Sequence, residues 1–120
     1  MNSVIKIYHN PRCRKSRAGL EYLKLKDNNI EVVDYLKTGL NKEIIQEILL
    51  KTNLHPIDLV RTQEEIYKKE LRGKSFTDEE WIKIICENPK LLVRPIVLSN
   101  RKAVIGDPVE NINILIITRS

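Results

Sequence analysis

The chain has 120 residues, 42% of them hydrophobic, which suits one domain built around one core. No run of apolar residues approaches the ~18 that a membrane-spanning helix needs. A formal charge of +5 points to an anionic partner, such as an oxyanion, an acidic peptide or nucleic acid. One Trp, one Phe and four Tyr offer little stacking surface, which argues against nucleic acid.

The opening Met-Asn-Ser-Val-Ile-Lys-Ile-Tyr reads as a strand, not as a basic and then apolar leader. With two cysteines far apart in the chain, a reducing cytoplasm is the expected compartment. Val4 to His9 alternates Val4, Lys6 and Tyr8 against Ile5, Ile7 and His9, the period of a strand. Asn10-Pro11 breaks it. A helix is predicted from Cys13 or Arg14 to about Asp27, with Leu20, Leu23 and Leu25 marking its apolar side. Ile30 to Leu36 reads as a second strand closed by Thr38-Gly39, and the short crossover makes it parallel to the first.

The middle of the chain reads as helical. Asn41 is a candidate N-cap for Lys42 to Thr52, and Pro56 starts a short turn carrying Leu59, Val60 and Arg61. Thr77 and Glu80 form a capping-box pattern, opening a helix that runs through Trp81, Ile82, Ile85 and Cys86 to Asn88-Pro89. Pro95 to Ser99 and Ala103 to Ile105 read as two short strands joined by a hairpin-length turn. A last helix is predicted over Val109 to Ile116. The order β-α-β, helical insert, β-β-α is that of an α/β thioredoxin-like fold with a mixed four-stranded sheet. The expectation is a single domain over 1–120 with the insertion at about 41–88.

Cys13 follows a strand and a proline-bearing loop and stands where a helix begins. Unsatisfied N–H groups and the positive end of the helix dipole stabilise an anion there, so a cysteine loses its proton more easily. Arg12, Arg14, Lys15 and Arg17 add positive charge, and Ser16 offers a hydroxyl. Two readings stand at this point: a reactive thiolate, or a half-buried structural cysteine beside a solvated basic face. Cys86 shares a face with Ile82 and Ile85 and reads as a small core residue. No Cys-x-x-Cys occurs, because Ser16 fills the second position, and neither thiol has the company a zinc site needs.

Ile7-Tyr8-His9-Asn10-Pro11-Arg12-Cys13-Arg14-Lys15-Ser16-Arg17 resembles the N-terminal signature of the glutaredoxin-coupled arsenate reductases. Leu91 to Val97 resembles their second signature and Ile105 to Glu110 their third. The resemblance implies that Cys13 is the nucleophile attacking arsenate, with glutathione and glutaredoxin as reductants and no bound cofactor or metal. It implies that Arg61 and Arg94 bind the oxyanion, which suits the planar, always charged guanidinium. It also implies a cis bond before Pro95 facing Cys13, and a supporting role for His9, as an imidazolium beside the thiolate, with Asn10, Ser16 and Arg17 as further supporting candidates. Arg14 departs from the small residue that the resemblance implies at its position, and adds positive charge near the site. The chain departs at Asp107, where the resemblance implies a third oxyanion arginine. A carboxylate there opposes an anion, so weak activity toward arsenate is expected. Two alternatives remain at this stage: a glutathione-linked thiol oxidoreductase of another substrate, and a regulator of the Spx type that contacts RNA polymerase.

Overall fold

A computed structural model describes residues 4–27 and 29–117. It divides into two compact units, one formed within Met1–Thr38 and Arg94–Ser120, the other by Gly39–Val93.

In the first unit β1 (Ile5–His9) leads into α1 (Arg14–Lys26), which returns the chain to β2 (Ile30–Asp34). A short helical turn, α2 (Tyr35–Thr38), follows. After the second unit come β3 (Ile96–Leu98), β4 (Ala103–Ile105), a 3-10 turn over Val109–Ile112, and α5 (Asn113–Ile117). The sheet order is β2-β1-β3-β4. β1 and β2 are parallel, with Ile7 opposite Val32, while β3 runs antiparallel to both β1 and β4. Ile5, Ile7, Leu23, Val97, Ile112 and Leu115 form a fully buried core between sheet and helices. Each such side chain contributes roughly 1.5–3 kcal/mol by leaving water. That packing fixes where α1 begins, and therefore where Cys13 sits.

Three expectations are corrected in this unit. Leu25 is 84% exposed, whereas Leu23 is fully buried. Two residues along a helix turn the side chain by about 200°, so the two leucines cannot share a face. The second strand ends at Asp34, because the chain turns helical there and buries Tyr35 completely. Gly39, at φ 82°, then ends the turn in a conformation that glycine adopts without strain. The last helix begins as a 3-10 turn and becomes α-helical only at Asn113.

In the second unit α3 (Lys42–Thr52) is capped by Asn41, whose Oδ1 accepts the Ile44 N–H at 2.8 Å. α4 (Asp78–Glu87) opens with the capping box: Thr77 N–H donates to Glu80 at 2.8 Å, and Glu80 N–H to Thr77 Oγ1 at 3.1 Å. α4 packs on α3 and on the 3-10 turns Pro56–Leu59 and Pro89–Leu91, burying Ile45, Ile48, Leu59, Ile85 and Leu91 completely. A wide π-type turn over Tyr67–Leu71 carried no pattern in the sequence, since only Leu71 of its five residues is buried. Among the described residues no helix is long and apolar enough to cross a membrane.

Candidate active site

The loop between β1 and α1 is tied at every step. Cys13 N–H donates to the Asn10 carbonyl at 3.0 Å, and Arg12 N–H to the Asn10 side-chain oxygen at 3.0 Å. Ser16 is completely buried, and its Oγ accepts the Asn10 N–H at 2.9 Å and bonds His9 Nδ1 at 2.8 Å. The Arg17 guanidinium donates to the Pro11 carbonyl at 2.9 Å, clasping the loop from outside. Ser16 therefore organises the loop and is not a stand-in for a second thiol.

Cys13 occupies the N-cap of α1 with extended backbone geometry, half-buried. Burial alone would push its thiol up. The Arg94 guanidinium, the Ser16 and Lys15 N–H groups and the charge of Arg94 act together against it and outweigh it. The net effect is a thiol below the ordinary cysteine range. Those two N–H groups fall short of a formal capping bond with the sulfur, so they act as oriented dipoles. Arg94 is thus the side chain that does most to lower the Cys13 thiol.

His9 departs from the role implied for it. Burial pushes its imidazole below the ordinary histidine value, only partly offset by the nearby Asp34 carboxylate, while Lys24 and Arg17 reinforce the fall. At neutral pH the ring is uncharged. It serves as a hydrogen-bonding partner of Ser16, and the imidazolium expected beside the thiolate is not what this environment favours.

The Arg94-Pro95 bond is cis, as the resemblance implies. Pro95 is buried and wedged between two glycines. A Cβ on Gly19 of α1 would lie 2.6 Å from the Pro95 ring, and one on Gly106 would lie 3.0 Å from it. Gly106 N–H also donates to the Pro95 carbonyl at 2.8 Å. These two close approaches seat the Arg94-Pro95 segment against α1. Sequence reading missed both glycines, since a lone Gly in a helical pattern carries no hint of what lies opposite it.

Asp107 does not stand as a bare carboxylate. Its Oδ2 lies 3.2 Å from Lys15 Nζ, and both side chains are about half exposed. The opposing charge expected at this position is therefore compensated by a cation of the first turn of α1. Arg61 belongs to the second unit, half-buried, where its guanidinium pairs with Glu64. Its backbone is held by a bond from its N–H to the Leu91 carbonyl at 2.6 Å. Arg14 is exposed. It lines, with His9, Pro11, Arg17 and Glu21, an open groove of about 520 Å³ beside the loop. Cys86 is half-buried, less so than Ile82 and Ile85, and burial followed by Glu43 and Glu87 pushes its thiol up. The two cysteines stand in opposite electrostatic environments.

The ArsC family model matches residues 8–115, which takes in the loop, Cys13, Arg94 and Asp107. The chain belongs to the ArsC family. As an ArsC-family chain it is 40% identical over 114 residues to the uncharacterized protein YfgD of Escherichia coli K12, covering 93% of this chain and 96% of that one. It is 40% identical over 110 residues to an arsenate reductase of Neisseria meningitidis serogroup A, covering 90% and 94%. The arsenate reductase structure from Vibrio cholerae matches with a TM-score of 0.88 at 33% identity, covering 95% of this chain and 98% of that one. The fold is the thioredoxin-like α/β fold of this family, with its mixed four-stranded sheet.

Proposed function

We propose that this ArsC-family protein is a thiol-dependent arsenate reductase. The observation that carries the reading is Cys13 at the N-cap of α1 with the Arg94 guanidinium on its sulfur. The thiolate attacks the arsenic, a sulfur–arsenic bond forms, and an arsenate oxygen leaves as water after taking up protons. Glutathione supplies the second sulfur. Joining it to Cys13 as a disulfide delivers two electrons, arsenic falls from the +5 to the +3 state, and arsenite leaves. Glutaredoxin then returns Cys13 to the thiol.

Arg94 holds the oxyanion over the sulfur, because a guanidinium binds tetrahedral oxyanions through two N–H groups at once. Arg61 is the second candidate oxyanion ligand, and binding an anion would require it to exchange its Glu64 partner. His9, Asn10 and Ser16 keep the loop in shape, and Arg17 braces it through Pro11. Arg14 and Glu21 stand at the adjacent groove, whose lining is otherwise largely apolar, and offer one charge of each sign to a zwitterionic thiol such as glutathione. Reduction of a soluble oxyanion by these thiols is cytoplasmic chemistry.

The test is turnover of arsenate with glutathione and glutaredoxin by the wild type and by Cys13→Ser. The reading expects turnover that Cys13→Ser abolishes and Cys86→Ser leaves intact. Turnover that survives Cys13→Ser, or its absence in the wild type together with capture of RNA polymerase, would overturn it.

A further inference from the structure

We propose that Lys15 is an additional oxyanion-binding residue, held at the edge of the Cys13 site by Asp107 and surrendered to the oxyanion on its arrival. The proposal rests on the reading of Cys13 as an oxyanion-attacking thiol. It begins with a rule that the helix breaks. The first turn of α1 has no acidic residue and carries Arg14 and Lys15, although cations there oppose the helix dipole. Local rules broken in this way mark functional positions.

Lys15 lies close to the reacting atom through its backbone, whose N–H acts on the Cys13 sulfur. Its ammonium rides on a flexible four-carbon stem, so the charge can move without moving the helix. Asp107 in turn is anchored to the same site. Its neighbour Gly106 donates to the Pro95 carbonyl, and Pro95 follows Arg94, the side chain that lowers the Cys13 thiol. Asn111 Nδ2 reaches the Asp107 carbonyl at 3.5 Å. The backbone that carries Asp107 is therefore held, its side chain is short, and the longer lysine is the more mobile partner.

At 57% and 41% exposure the Lys15–Asp107 pair is a weak, solvent-screened one. A dianionic oxyanion already held by Arg94 and the helix N-terminus offers Lys15 two charges against the single charge of Asp107. Asp107 is then a positioning residue that tunes affinity by competing for Lys15, and its effect should fall on KM and leave kcat nearly unchanged.

A two-residue mutant cycle tests this, with inorganic arsenate as the probe and its protection of Cys13 against alkylation as the readout. Unprotected alkylation rates of each variant check that the loop is intact. Asp107→Asn should protect at roughly 3- to 10-fold less arsenate and lower KM by a similar factor, and Lys15→Gln should need roughly 3- to 10-fold more. In the Lys15→Gln background Asp107→Asn should lose its effect. An Asp107→Asn effect of the same size with and without Lys15, or an unchanged Lys15→Gln, would overturn the proposal while leaving Cys13 as an oxyanion thiol. Absence of arsenate protection in every variant would instead overturn the oxyanion reading on which the proposal stands.

Discussion

At the scale of single residues the site works by opposing terms on one sulfur. Burial disfavours the Cys13 thiolate, and the Arg94 guanidinium with the helix N–H groups favours it by more. The alkylation rate of Cys13 should therefore reach half its maximum at a lower pH than that of an ordinary cysteine. Arg94→Ala should move that midpoint upward, and Cys86 should titrate above it. A midpoint unmoved by Arg94→Ala would show that the arginine does not set the thiol. His9 makes a separate prediction. Its folded-state pKa lies below ~6.5, so as pH falls through ~6.5 the unfolded chain gains a proton that the buried ring refuses. Stability is fully present above ~6.5 and is lost as pH falls toward the folded value. Urea midpoints at pH 7.5 and 5.5 should fall further in the wild type than in His9→Gln. An equal fall would show that His9 is not buried in its neutral form. Cys13 and the basic cluster were legible because charge and capping position are local in sequence. The neutrality of His9 was not, because it depends on burial outweighing Asp34, a carboxylate that arrives from β2.

Elements show the same division. The Asn41 cap and the Thr77-Glu80 box were read correctly, since each is a bond between residues three apart. The wedge of Pro95 between Gly19 and Gly106 joins three distant segments, and no local pattern reports it. It sets a contest of known sign. Gly→Ala inside a helix gains about 1 kcal/mol from propensity, but a methyl 2.6 Å from a proline ring forces α1 away at a cost of about 1–3 kcal/mol. Gly19→Ala should thus destabilise or at best break even, and should slow Cys13 alkylation by shifting Arg94 off the sulfur. A stabilised variant with unchanged thiol reactivity would refute the wedge. Thr77→Ala removes one half of the capping box and should cost about 1 kcal/mol in a urea titration.

For the whole molecule, the order β-α-β, insert, β-β-α was legible because most segments declare their period, and the observed elements follow it. Less legible was how charge is shared. The Lys15–Asp107 pair joins the start of α1 to a loop near the other end of the chain, and Arg61 is paired with Glu64 inside the second unit. Sequence places Asp107 as a bare opposing charge, and the fold compensates it. If Arg61 is an oxyanion ligand, Arg61→Ala should raise KM for arsenate at least several-fold while leaving the Cys13 alkylation midpoint in place. A KM that does not move would confine its role to the Glu64 pair. The central claim is that Cys13 carries the chemistry, and peptide mass mapping of the protein quenched during turnover with arsenate and glutathione tests it most directly. The account predicts an arsenate-dependent mixed disulfide with glutathione on the peptide bearing Cys13 and none on the peptide bearing Cys86. Modification confined to Cys86, or no arsenate-dependent modification at either cysteine during turnover, would contradict it.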